Sequence, residues 1–151
     1  MRRLYLLLIV VGVALFLAVS ALLARIFSVD GAERSAITGL IQAEARGDRA
    51  GVLSRIQGCR TSSACQGRVA QDVSELGHPG AVAILQLEPS AGFSLTSSLG
   101  TARVAWNVAS SLPIVQCVRV RRAGDVFSGL RVELLAISPR IKSDSDCPAS
   151  F

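Results

Sequence analysis

Residues that usually carry chemistry are scarce in this sequence. It contains one histidine, His78, and one tyrosine, Tyr5. Either residue commonly works beside a carboxylate in acid–base catalysis, but His78 lies in a His-Pro-Gly turn and Tyr5 lies in an apolar run. The sequence also lacks a Cys-x-x-Cys pair, a Gly-x-Ser-x-Gly motif, a phosphate-binding loop and a dinucleotide fingerprint. These absences favour a non-catalytic protein without a metal ion or cofactor.

A strongly basic surface is also missing. The net charge is +5, but Arg2, Arg3 and Arg25 flank one apolar run. The rest of the chain has 13 basic and 11 acidic residues. Nucleic-acid binding requires a dense basic face, so this balance argues against nucleic acid as a partner.

Charge is absent altogether from residues 4–24. A bilayer core is about 30 Å thick and is crossed by roughly 20 apolar residues in a helix, so residues 4–26 are predicted to form a transmembrane signal-anchor. The arginines before the run place residues 1–3 in the cytoplasm and the rest of the chain outside the cell membrane. The alternative is a signal peptide cleaved after residues 18–20, but the apolar run continues through Leu22 and Leu23, which favours retention.

Four cysteines follow the apolar run: Cys59, Cys65, Cys117 and Cys147. An even number of cysteines outside the cytoplasm is typical of disulfide bonds. Three pairings are possible. The short polar stretch between Cys59 and Cys65 favours their pairing, which leaves Cys117 for Cys147. Metal binding or a reactive thiol is the alternative, and the shortage of histidine weighs against it.

Three helices are predicted after the apolar run. Asp30 followed by Glu33 is a capping signature, so the first of these helices is expected to begin at Asp30. Gly47 ends it, and Asp48 caps a second helix over residues 49–56. Val69, Val73 and Leu76 recur at helical spacing in the third, which ends at residues 77–80.

Strands dominate the second half of the chain. Runs of β-type or alternating residues predict strands at 81–87, 101–109, 114–122 and 130–137, while residues 93–96 form either a short strand or part of a connection. On the last strand, Val132, Leu134 and Ala136 are predicted to share one face. Short turns between successive strands indicate antiparallel pairing. The sequence therefore predicts an α+β domain over residues 27–141, with a polar tail at 142–151 that Cys147 ties down.

Three arginines form the best candidate binding feature. Alternation places Arg119 and Arg121 on one strand face, and Arg103 on the neighbouring strand can join them. Such a stripe suits anionic lipid, cell-wall polymer or an acidic protein, and the alternative interpretation is a solvated outer face. Trp106 and Phe127 are predicted to lie in the core.

The order of short helices, the Gly47-Asp48 break and the long antiparallel strands resembles the nuclear transport factor 2-like (cystatin-like α+β) superfamily, and in particular its small membrane-anchored bacterial members. Residues 32–55 carry most of this resemblance, which covers residues 30–141. It implies helices packed on a curved sheet that encloses an apolar pocket. Members include isomerases, dehydratases, ligand binders and interaction modules, so the fold does not specify the function.

The resemblance leaves two classes of function to compare. The first is a non-catalytic domain, anchored by residues 4–26, that binds a protein partner or a small apolar ligand at the cell envelope. The second is an enzyme acting on a hydrophobic small molecule, for which a deep pocket with Asp72 or Glu133 is expected. A pilin-like or secretion-system subunit is a third alternative, but pilin-type helices carry a glutamate near their start and nothing acidic precedes Asp30 here.

Overall fold

The computed structural model describes residues 2–90, 97–109, 111–124, 129, 131–142 and 145–151, with the backbone alone at 25–27. Helices come first: α1 (Arg2–Ala45), α2 (Arg49–Arg55), a 3-10 turn (Cys59–Thr61) and α3 (Ser63–Leu76). Four strands follow, namely β1 (Val82–Glu88), β2 (Ser98–Val108), β3 (Ile114–Ala123) and β4 (Arg131–Ile137). They form one antiparallel sheet in the order β1-β2-β3-β4. The predicted α+β class is confirmed.

Helix α1 is continuous over 44 residues, so the prediction that a helix begins at Asp30 was wrong. At 1.5 Å per residue α1 is about 66 Å long. Gly31 keeps a negative φ inside it, and a single helical glycine costs only about 1 kcal/mol. A capping signature cannot act as a stop when the preceding residues are already helical. The carboxylates of Asp30 and Glu33 instead contact Arg122 on β3.

The two halves of α1 lie in different surroundings. The first half is long and apolar enough to cross a membrane, and none of its most apolar stretch is buried within the protein. The second half packs into the core through Ile37, Leu40 and Ile41. Burial begins at Val29, only about 8 Å along the helix axis beyond Ala24. The domain therefore starts within about two helical turns of the apolar run.

The predicted break between the first two helices is confirmed. Gly47 has φ 74°, a conformation that favours glycine. The Asp48 side chain then caps α2, because its Oδ1 accepts the N–H of Gly51 at 2.8 Å. Helix α2 ends one residue before the predicted limit, and Ile56 forms an extended bridge to Leu134. Helix α3 ends at Leu76, at the predicted glycine and proline cluster.

The core lies between the helices and one face of the sheet. Val104, Trp106 and Val108 point into it from β2, as the alternation predicted. On β3, residues 114–118 are buried on both faces because the C-terminal tail covers the outer face. The bounds of the strands differ little from prediction, except that β2 begins three residues earlier, at Ser98. The predicted strand at 93–96 and Phe127 lie outside the described residues.

The last strand contains a bulge that the sequence did not indicate. Val120 is opposite Leu134, but the preceding residue, Arg119, is opposite Ala136. The extra residue in β4 is Leu135. Because of it, each later residue of β4 lies on the opposite face of the sheet from the one that simple alternation predicts. Ile137 is therefore buried opposite Val118, and Ala136 lies on the outer face. The prediction that Ala136 shares a face with Val132 and Leu134 was wrong.

Candidate functional site

A cleft of about 650 Å³ lies between α1, α2 and β4. Ser35, Ala36 and Gly39 form its α1 wall, and residues 132–134 form the opposite wall. Gly39 lies three positions after Ala36 and four after Ser35, so the three residues share one side of the helix. Their small side chains leave the space between the helix and the edge strand open.

The positively charged side chain of Arg55 lies in this cleft. Its Nε donates a hydrogen bond to the carbonyl of Gly39 at 3.1 Å. A side-chain carbon added to Gly39 would lie 3.7 Å from the Arg55 guanidinium, an ordinary contact distance, so Arg55 packs directly against this turn of α1. No carboxylate of the described residues lies within ion-pair distance of Arg55. The cleft thus contains an exposed positive charge fixed by one hydrogen bond.

Glu133, a candidate catalytic carboxylate, lies at the edge of the cleft in an ion pair. Arg121 donates from Nε to Glu133 Oε2 at 2.7 Å and from Nη2 to Gln57 Oε1 at 2.6 Å. Arg131 lies 3.9 Å from the other carboxylate oxygen. Through Arg121, Glu133 therefore connects β3 and β4 to the chain after α2.

The predicted stripe of Arg103, Arg119 and Arg121 lies on the outer face of the sheet. Arg119 donates to the carbonyl of Ala149 at 2.8 Å, and its guanidinium lies 4.9 Å from the centre of the Phe151 ring. Arg121 contacts Glu133 and Gln57. Both side chains therefore bind groups of the chain itself rather than forming an open basic surface.

The tail that covers Arg119 is fixed by a disulfide. Cys117 is bonded to Cys147, with their Cα atoms 5.8 Å apart, and Cys59 is bonded to Cys65. This is the pairing that the sequence favoured. No described cysteine is left as a thiol, and the described residues contain no group of three or more potential metal ligands.

A chain of polar side chains runs through the core. Trp106 Nε1 donates to Gln116 Oε1 at 2.8 Å, and Gln116 Nε2 donates to Glu44 Oε1 at 2.8 Å. Gln116 also donates to the carbonyl of Ser138 at 3.2 Å. The network connects α1, β2, β3 and the end of β4. Sequence reasoning missed it, although Glu44 and Gln116 both occupy positions on apolar faces, and a polar residue at such a position was the available signal.

Glu44 and Asp72 are two buried acids with unsatisfied oxygens. They are 1% and 2% exposed, and neither Glu44 Oε2 nor Asp72 Oδ2 has a hydrogen-bond partner among the described residues. Burial raises the pKa of Glu44 to about 8, with Asp72 adding to the rise and the Gln116 hydrogen bond opposing it. Burial likewise raises the pKa of Asp72 to about 7, against the charge of Arg68. Neither acid lines the cleft between α1, α2 and β4.

A second polar cluster joins the start of the domain to the sheet. Arg122 Nη2 contacts Asp30 Oδ1 at 2.6 Å and Glu33 Oε2 at 2.8 Å. Glu33 is fully buried and also accepts the backbone N–H of Ser90 at 2.6 Å and its hydroxyl at 3.1 Å. Arg122 was not among the arginines predicted from the sequence, although its position in the alternation places it on the inner face of the sheet.

These two clusters attach α1 to the sheet at both ends of β3, through Glu33 to Arg122 and through Glu44 to Gln116. The arrangement fixes the direction of the apolar half of α1 relative to the domain. Comparison with known proteins finds no family model, no curated protein and no solved structure that matches the chain.

Proposed function

We propose that this protein is a single-pass membrane protein of the bacterial cell envelope, with residues 4–26 in the bilayer and its α+β domain outside. In this proposal the domain belongs to the nuclear transport factor 2-like group and binds a protein partner without catalysing a reaction. The observation that carries the proposal is the continuity of α1, whose apolar half is exposed while its second half is packed into the core.

The orientation is supported by charge and by the disulfides. Arg2 and Arg3 precede the apolar run, and arginines are retained on the cytoplasmic side of membranes. The pairs Cys59–Cys65 and Cys117–Cys147 are suited to an oxidising compartment.

The filled interior favours a protein over a small apolar ligand. Trp106, Ile37 and Ile41 are fully buried where a ligand pocket is expected under the sheet. The cleft between α1, α2 and β4 is open, contains Arg55 and runs along a strand edge. Polar clefts of this kind suit a peptide chain better than a hydrophobic small molecule. The enzyme alternative gains no support from Asp72, which is sealed in the core, or from Glu133, which is ion-paired.

Orientation is tested with single cysteines added to the full-length chain. A cysteine inserted between Met1 and Arg2, which keeps both arginines, is expected to resist a membrane-impermeant maleimide in intact spheroplasts, and Arg46→Cys, at an exposed position, is expected to react. Labelling of the inserted cysteine with protection of Arg46→Cys would overturn the orientation.

Partner binding is tested by affinity capture of the full-length protein after crosslinking in native membranes. The matched control replaces residues 2–24 with an unrelated transmembrane helix of equal length. Recovery of the same envelope protein with both versions is expected, because the domain makes the contact. Recovery with the native helix alone would assign binding to α1, and recovery with neither would contradict the proposal.

A further inference from the structure

Strand β4 presents an incomplete edge to the cleft. It is the last strand of the sheet, and among the described residues one backbone hydrogen bond covers its outer edge, in which Gln57 donates its N–H to the carbonyl of Leu134 at 2.7 Å. Backbone groups alternate in direction along a strand, so the N–H and C=O of Val132 point to the same side as the Leu134 carbonyl. No backbone hydrogen bond joins these Val132 groups to any described residue outside the sheet.

The space beside this edge is suited to an extended chain. Ile56 already forms a parallel bridge to Leu134, so the edge accepts strand pairing. The wall opposite Val132 consists of the small α1 residues Ser35, Ala36 and Gly39. A volume of about 650 Å³ lies within the range of about 300–1,000 Å³ that is usual for ligand sites. Peptides commonly bind by adding a strand to such an edge.

Charge identifies the chemistry of the occupant. The Arg55 guanidinium lies in the same cleft, and its one hydrogen bond within the chain uses Nε. Its two terminal nitrogens are therefore available to a carboxylate, which an arginine fork binds in a bidentate manner. Ser35 to Gly39 lie about 16–22 Å along α1 beyond Ala24, within reach of the region of a neighbouring membrane protein that follows its transmembrane helix.

We propose that the cleft binds an extended acidic segment of the partner protein, which pairs with β4 at Val132 and places a carboxylate on Arg55. The inference rests on the proposed function, since it names the segment by which the partner is held. A charge-assisted hydrogen bond makes the larger contribution, and the strand pairing fixes the direction of the segment.

The test uses the full-length protein in native membranes with a photocrosslinking amino acid at Ser54, an exposed position that lines the cleft. Adducts are digested and the attached peptide is sequenced by mass spectrometry. The attached peptide is expected to contain Asp or Glu and to come from the extracytoplasmic part of a membrane protein. An adduct confined to a peptide without acidic residues would overturn the inference.

Two variants examine the site itself, each with a matched control. Arg55→Gln is expected to reduce the adduct at least about tenfold, because the carboxylate of the segment loses its charge-assisted hydrogen bonds to the guanidinium. Arg49→Gln removes the same charge from α2 outside the cleft and is expected to leave the adduct unchanged. Ser35→Trp is expected to abolish the adduct by filling the cleft, and Ser35→Ala to preserve it.

Non-reducing electrophoresis of each variant shows that both disulfides have formed, so loss of the adduct is not loss of folding. If affinity capture recovers a partner while the Ser54 adduct is missing or survives Arg55→Gln and Ser35→Trp, the cleft is not the site and the proposed function stands. If affinity capture recovers no partner with either version of the chain, the proposed function itself is contradicted.

Discussion

Glu33 on α1 and Arg122 on β3 form a buried ion pair, with Glu33 Oε2 3.0 Å from Arg122 Nε and 2.8 Å from Nη2. Ser90 donates to the same carboxylate from its backbone and its hydroxyl. The pair lies where the domain begins, only a few residues after the apolar run. The ion pair therefore helps to fix the direction of α1 relative to the sheet.

Glu33→Gln is expected to lower the free energy of unfolding by about 1.5–3 kcal/mol, because Arg122 loses its buried charged partner and keeps the more exposed carboxylate of Asp30. Urea unfolding of the detergent-solubilised protein, followed through the fluorescence of Trp106, measures this. Arg131→Gln is the control, since Arg131 is 80% exposed in its contact with Glu133 and exposed pairs contribute about 0–1 kcal/mol. Equal effects of the two substitutions would contradict a stabilising role for the buried pair.

Gly100 is expected to be required for the position of Ser90. A Cβ on Gly100 would collide with the Cβ and hydroxyl of Ser90, and Ser90 holds Glu33. Overpacking of this kind costs about 1–3 kcal/mol, so Gly100→Ala is expected to lower the stability by that amount. Ser90→Gly removes the collision but also the hydroxyl that Glu33 accepts, so it is the reference for the double variant. Gly100→Ala is expected to cost less in the Ser90→Gly background than in the natural chain, and an equal cost in both would show that the contact with Ser90 is not the cause.

The sequence was informative where local chemistry decides the structure. The Gly47-Asp48 break follows from a left-handed glycine and a capping aspartate, and the inward facing of Trp106 follows from simple alternation. It was uninformative where distant residues decide. Asp30 satisfies the rule for a helix start, yet its partner is Arg122, 92 positions away. The bulge at Leu135 changes no residue type in the pattern, so Ala136 was assigned to the wrong face.

In the candidate site, too, the features set by local spacing were predictable and those set by distant residues were not. Arg119 and Arg121 were identified from their spacing, but their partners Ala149 and Gln57 come from other parts of the chain. Arg55 was not considered because its place in a cleft depends on the small residues of α1 and on the free edge of β4. Those relationships exist only after the sheet and α1 have packed together.

The disulfide between Cys117 and Cys147 is expected to stabilise more than the one between Cys59 and Cys65. Their sequence separations are 30 and 6, and loop-closure entropy gives about 3.6 and about 2.2 kcal/mol. Replacing each pair by alanines and comparing urea midpoints measures the difference. The variant without Cys117–Cys147 is also expected to release the tail from Arg119, detected as faster proteolysis near residue 149. A larger loss from the Cys59–Cys65 variant would contradict the expected order.

The buried acids are expected to make the stability depend on pH. The pKa values of Glu44 and Asp72 rise from 4.5 to about 8 and from 3.8 to about 7. Between about pH 4 and about pH 8, the folded protein keeps these carboxyl groups protonated while the unfolded chain has released the protons. The contribution of the pair is therefore fully present below about pH 4 and is lost as the pH rises to about 8.

The free energy of unfolding is expected to be several kcal/mol lower at pH 8 than at pH 5, because one pKa unit corresponds to about 1.4 kcal/mol. Glu44→Gln keeps the acceptor for Gln116 and removes the titration, so it is expected to eliminate the larger part of this difference and to be more stable than the natural chain at pH 8. Glu75→Gln, at an exposed position of α3, is the control and is expected to retain most of the slope. Urea unfolding at pH 5, 6, 7 and 8 distinguishes them, and an unchanged slope in Glu44→Gln would show that Glu44 is ionised in the folded protein throughout.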